Sequence, residues 1–282
     1  MKIKQQDFHS VELSKFMPFC NSNGINLYYE VKGKGEPLVL IAGITADITI
    51  WPPNFLDVLT EKYQVIIFDN RGVGKTDVPK ELYSMDQFVE DTMGLINHLN
   101  LTNIHLYGES MGGMIALNFV LKYPQVVKSL LLPVTTVGRG GHRLSEDSME
   151  LLANHRKGDY KTDQWKFFEA VYTSEFFDKH YNEIKNYIDN PPDYPIQKPH
   201  GYRNQLLAIY NHATKEKLNE IKMPTLVLVG LKDKLISPEN SLLIHKLIPH
   251  SKLIEYPNAA HMFRFEEPKA VYDMIEFLEN VV

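Results

Sequence analysis

Short apolar runs recur along the chain: Leu38–Ile41, Val65–Phe68, Ile104–Tyr107, Val126–Leu132 and Leu226–Val229. Several stop at Gly, Asp or Pro. Brief runs without polar alternation read as strands buried on both faces, the habit of a parallel sheet. Helical spacing fills the intervals. Ser84, with Gln87 three residues later, reads as a capping box, and Phe88, Leu95, Ile96 and Leu99 follow on one stripe. A last helix starting near Pro268 repeats Val271, Met274, Ile275 and Leu278 along one face. Strands alternating with helices predict an α/β fold with crossover helices. Upstream, Asn26–Val31 lies between Asn23-Gly24 and Gly33-Lys34-Gly35, which predicts hairpin strands at the start of the sheet.

The alternation breaks between about Val134 and His212. That stretch is helical in spacing and rich in aromatics (Trp165, Phe167, Phe168, Tyr172, Phe176, Phe177, Tyr181, Tyr187), and ends in a Pro-rich loop through Pro191, Pro192, Pro195 and Pro199. Strand character resumes at Pro224. We therefore expect a core from residues 1–133 and 213–282, with a helical cap inserted over 134–212.

The chemistry concentrates at Gly108-Glu109-Ser110-Met111-Gly112, a G-x-S-x-G pattern after a strand-like run and before a helix-like one. In that context the serine sits on a sharp, strained turn with its hydroxyl above the sheet. A serine hydroxyl needs a base, and the base needs an orienting acid. Asp233, just past the Leu226–Val229 run, and His261, after the strand-like Ser251–Tyr256, supply them in the order Ser, Asp, His. All three fall in loops at strand C-termini, where ligands bind in open α/β sheets.

Composition narrows the field. With 44% hydrophobic and 23% charged residues the chain reads as globular rather than disordered. A net charge of -5 offers no electrostatic footprint for nucleic acid. Cys20 is the single cysteine, so neither an intrachain disulfide nor a multi-cysteine zinc site is expected. Met1–Asp7 lacks the apolar core of an export signal, and no run reaches the ~18 apolar residues of a membrane span. These features lead us to expect a cytoplasmic protein without metal or cofactor; its oligomeric state stays open. Gly72-Val73-Gly74-Lys75-Thr76 imitates the end of a phosphate-binding loop, but Asp69 stands where that motif needs its first glycine.

Besides Gly-Glu-Ser-Met-Gly-Gly at 108–113, the chain carries Asp69-Asn70-Arg71-Gly72-Val73-Gly74, Gly230-Leu231-Lys232-Asp233 followed by Pro238, and His261 followed by Glu266-Glu267-Pro268. With these it resembles the α/β-hydrolase superfamily from about Gly24 to Leu278, in its serine esterase, lactonase and haloperoxidase-like branches. The resemblance implies an eight-stranded, mostly parallel sheet flanked by helices, with an inserted helical cap. An oxyanion hole needs two backbone N–H groups. One is expected from Met111, after the nucleophile. The resemblance implies the other from Ile44, in a loop where Ala42-Gly43 replaces the usual His-Gly.

The expected activity is hydrolysis of a carboxylic ester or lactone of an apolar small molecule. Gly43, Thr45, Trp51 and Met262 are candidates to line its pocket, and the aromatic cap favours an apolar ligand. Arg139 and Arg143 read chiefly as solvated, with carboxylate binding near the cap as the sharper reading. Serine at 110 argues against the branches that use an aspartate nucleophile. Carbon–carbon bond hydrolases and cofactor-free haloperoxidases share the triad, although Met262 stands where the former often carry tryptophan. Acyl transfer shares every residue, and a small-molecule receptor would share the pocket.

Overall fold

In the computed structural model, which describes residues 18–281, the chain opens with a hairpin. Asn23 and Gly24 adopt φ of 49° and 79°, the left-handed pair that a tight I′ turn requires. They join β1 (Phe19–Ser22) to β2 (Ile25–Lys32) with Ser22 opposite Ile25. Met1–Asp7 lies outside the described residues.

β2 pairs antiparallel with β4 (Tyr63–Phe68), and each later pairing is parallel. The sheet adds β3 (Glu36–Ile41), β5 (Ile104–Gly108), β6 (Val127–Pro133), β7 (Thr225–Gly230) and β8 (Lys252–Tyr256). Its order is β1-β2-β4-β3-β5-β6-β7-β8, the eight-stranded, mostly parallel sheet expected. From β3 the chain moves outward to β4, then returns to the other side of β3 as β5. That reversal parts the loops after β3 and β5 and opens a crevice at the strand C-termini.

Alternate residues of each strand serve opposite faces. Leu38, Leu40, Val65, Ile67, Tyr107, Leu226 and Leu228 pack in one layer with Phe55, Leu56 and Leu59 of α1 (Pro53–Thr60). Val39, Ile41, Ile66, Leu106, Leu130 and Val227 pack in the other with α2 (Met85–His98) and α3 (Met111–Lys122). Ser84 and Gln87 close the capping box of α2, worth about 1 kcal/mol. α3 is buried almost all round because the sheet and α2 enclose it, which explains its lack of polar spacing.

Five α-helices lie between β6 and β7: α4 (Glu146–Asn154), α5 (Tyr160–Val171), α6 (Ser174–Lys179), α7 (Tyr181–Asp189) and α8 (Pro199–Asn211). Ser145, Asp159 and Thr173 cap three of them by accepting an N–H three residues on. Pro199 belongs to the first turn of α8 rather than to the loop before it, since helix N-termini have no use for the missing N–H. An isolated bridge between Gly138 and Ala213 ties the ends of the segment together. After β7 come α9 (Glu239–Leu247), α10 (Phe263–Glu266) and α11 (Ala270–Glu279). Val271, Met274, Ile275 and Leu278 of α11 are buried on the expected stripe, although the helix starts two residues after Pro268.

Candidate active site

Ser110 ends the tight connection from β5 to α3 with φ 57° and ψ -118°, a conformation that costs a non-glycine residue roughly 1–3 kcal/mol. Its surroundings hold it there. Ser110 N donates to Pro133 O at 3.2 Å, and Thr135 Oγ1 donates to Ser110 O at 2.7 Å. The flanking glycines permit the close approach: a Cβ on Gly108 would stand 2.3 Å from Gly112 O, and one on Gly112 would stand 2.1 Å from Ile41 O. The turn therefore rests directly on the end of β3.

Asp233 and His261 meet from the loops after β7 and β8. His261 Nδ1 and Asp233 Oδ2 lie 2.7 Å apart, both side chains buried. Asp233 Oδ1 accepts the Leu235 and Ile236 N–H groups at 2.8 and 2.9 Å, which fixes the carboxylate. An ionised carboxylate only accepts, so Nδ1 carries the proton and Nε2 is the free ring nitrogen. Burial alone would lower the His261 pKa; the Asp233 charge and hydrogen bond outweigh it and raise the pKa above its ordinary 6.5.

Ser110 and His261 border one cavity of about 130 Å³, although no hydrogen bond joins them in this conformation. Such contacts often tighten only when substrate binds. Gly43, Ile44, Thr45 and Met262 line it, with Asp47, Thr49 and Ile50 further along the β3 loop. The β3 loop presses on Ser110: a Cβ on Gly43 would lie 3.6 Å from Ser110 Oγ. The backbone N–H groups of Ile44 and Met111 make no backbone hydrogen bond. Met111 is fully buried at the first turn of α3.

Trp51 differs from expectation. It is buried against Phe55 and Tyr107, with the Arg264 guanidinium 5.1 Å above its ring, and it does not border the cavity. The chain turns inward after Ile50, so the indole serves the core layer beneath the site. Arg264 is held there by Glu109, whose two oxygens accept Nη1, while Nη2 donates to Ile50 O at 3.1 Å. Glu109, the residue before Ser110, is thereby ion-paired with Arg264.

From the helical segment, Phe167, Phe168 and Tyr187 reach the cavity. Trp165, Phe177 and Tyr181 pack on one another instead, and Tyr172 stacks between Phe168 and Phe176. Arg139 is exposed and donates to Tyr210 O and Asn211 Oδ1; Arg143 is also exposed, and neither borders the cavity. Arg156, Asp47, Gln164 and Gln197 do border it, and sequence reasoning missed them. They sit in irregular loops or on helix faces whose orientation no periodicity announces. Asp69, in the turn resembling a phosphate-binding loop, accepts Ile48 N, Lys75 N and Tyr194 Oη at 2.7–2.8 Å. Burial pushes its pKa up to about 6. Among the described residues there is no group of three or more His, Cys, Asp or Glu that could hold a metal ion, and no helix long and apolar enough to cross a membrane.

Comparisons agree with this architecture. The sequence model of the alpha/beta hydrolase fold matches residues 36–268. The chain is 28% identical over 279 residues to a proline iminopeptidase of Heyndrickxia coagulans, covering 90% of this chain and 94% of that protein. It superposes on an esterase from Thermogutta terrifontis with TM-score 0.79 at 27% identity, covering 91% and 94% of the two chains. On the enol-lactonase from Burkholderia xenovorans LB400 the TM-score is 0.83 at 21% identity, covering 93% and 100%. The matched family and the shared architecture lead to one conclusion: this chain belongs to the α/β-hydrolase fold family.

Proposed function

We propose that the protein hydrolyses a carboxylic ester or lactone of a small, largely apolar molecule through Ser110, His261 and Asp233. The observation that carries this reading is the buried Asp233–His261 pair opening on the same cavity as a strained serine. His261 Nε2 takes the Ser110 proton as Oγ attacks the carbonyl carbon. The developing oxyanion is stabilised by the Met111 and Ile44 N–H groups, which no backbone acceptor occupies. His261 then protonates the leaving alcohol, giving an acyl-enzyme. The same histidine activates water to release the acid and regenerate Ser110. Residues 134–212 act as the cap, whose Phe167, Phe168 and Val171 give the cavity an apolar wall. The relatives named esterase and enol-lactonase support an ester target.

Steady-state hydrolysis of p-nitrophenyl esters of increasing acyl length tests this. The wild type should turn over repeatedly, and Ser110→Ala should lose at least about 10³-fold in kcat. Equal rates in the two proteins would remove Ser110 as the nucleophile. The relative named proline iminopeptidase favours a second reading, cleavage of an amide by the same machinery. Prolyl p-nitroanilide, run in parallel and turned over faster than the esters, would reassign the target bond.

A further inference from the structure

Arg156 occupies the loop between α4 and α5 and borders the cavity that holds Ser110 and His261. Its backbone adopts φ 67°, a conformation glycine or asparagine takes more cheaply, so the loop spends conformational energy to place an arginine there. Asp163 holds that loop by accepting Arg156 N at 2.9 Å and Gly158 N at 3.3 Å, so Oδ2 of this neighbouring carboxylate is engaged by backbone. Asp47, the other nearby carboxylate, accepts Thr49 N and Oγ1 through Oδ1. The guanidinium lies 5.4 Å from the ring centroid of Tyr160, another lining residue. Its Nε and Nη1 are buried, and no protein group accepts a hydrogen bond from them. Burial lowers its pKa, yet a guanidinium stays protonated across the physiological range. A buried cation with unused donors is costly until an anion meets it, and the planar fork of arginine matches a carboxylate.

We infer that Arg156 is an anion subsite, and that the substrate is an apolar ester carrying a carboxylate away from the scissile bond. This rests on the reading of Ser110 as an ester nucleophile. A monoanion fits better than a phosphate dianion, because Asp47 borders the same cavity and a single arginine faces it.

Matched ester pairs test the inference. On the acyl side, mono-p-nitrophenyl adipate is compared with p-nitrophenyl hexanoate; on the alcohol side, 4-carboxyphenyl butanoate with phenyl butanoate. In at least one pair, Arg156→Gln should lower the ratio of kcat/KM for the acid member to that for the neutral member by about 10- to 100-fold. Arg156→Lys should keep part of the preference, and its thermal unfolding controls for folding. Equal effects on both members of each pair, or no effect, would overturn the inference. Calorimetry on Ser110→Ala, with and without Arg156→Gln, compares monomethyl adipate with methyl hexanoate. Preference for the acid that needs Arg156, without turnover by the wild type, leaves the anion subsite standing and removes the nucleophile. Turnover without that preference does the reverse, and absence of both removes both.

Discussion

On the proposed mechanism, the charge state of the buried His261 decides activity. The Asp233 carboxylate 2.7 Å away outweighs the burial that alone would lower its pKa, and the net shift is upward from 6.5. Imidazolium cannot accept the Ser110 proton, so kcat/KM falls as pH drops, with its acid-limb midpoint above 6.5. Replacing Asp233 by Asn removes the anion that raises the pKa. The midpoint should then move to lower pH, while the plateau rate falls roughly 10³- to 10⁴-fold because an amide no longer holds the productive tautomer. Rate profiles of kcat/KM from about pH 5 to about pH 9 for both proteins measure this. A midpoint that does not move in Asp233→Asn would mean that another group sets it.

At the scale of elements, α10 fastens the histidine loop to the helical segment. Glu266 Oε1 accepts Thr173 N and Oγ1, both at 2.7 Å, and Oε2 accepts Ala260 N, the residue before His261. Met262 N adds a bond to Val171 O at 3.0 Å, so both sides of His261 are tied down. Glu266→Gln turns one acceptor into a donor facing an N–H group. The expected result is a kcat roughly tenfold lower, since a slightly misplaced base loses rate quickly, and a Tm lower by several degrees. Stopped assays and thermal unfolding of Glu266→Gln check both; unchanged kcat would show that Val171 alone holds the loop. These ties also show where sequence reading reaches its limit. Strand runs, the capping box at Ser84 and the Ser110 elbow were legible because their signals are local and periodic. Trp51 was misplaced because a loop position does not reveal which way its side chain turns. Glu109 and Arg264 are 155 residues apart, and nothing local to either announces the partner. Arg156 carries no signal in the sequence, because its left-handed backbone and the Asp163 clamp exist only in the folded loop.

Across the whole molecule, one buried polar chain joins parts that the sheet alone does not. Gln205 of α8, fully buried, accepts Thr45 N at 3.1 Å and donates to Arg71 O at 2.9 Å, linking the helical segment to the β3 loop and to the turn after β4. The Arg71 side chain pairs through Nε and Nη2 with both Asp91 oxygens inside α2, each side chain about 3% exposed or less. Asp91 also accepts from Asn23 Nδ2 and, through its carbonyl, from Ser22 Oγ, which anchors the opening hairpin. A buried pair of this kind contributes little net stability compared with apolar residues of the same size, but breaking it strands a charge. Asp91→Leu leaves the Arg71 guanidinium buried without its carboxylate and should cost about 3–5 kcal/mol. The double variant Arg71→Met/Asp91→Leu removes both charges and should recover most of that loss. Urea unfolding of the four proteins in the cycle measures the coupling directly. A double variant as unstable as Asp91→Leu would mean that the pair holds the turn by geometry rather than by mutual neutralisation. The Thr45 loop beside Ser110 would then depend on it, and the proposed turnover of p-nitrophenyl esters should fall in step with stability.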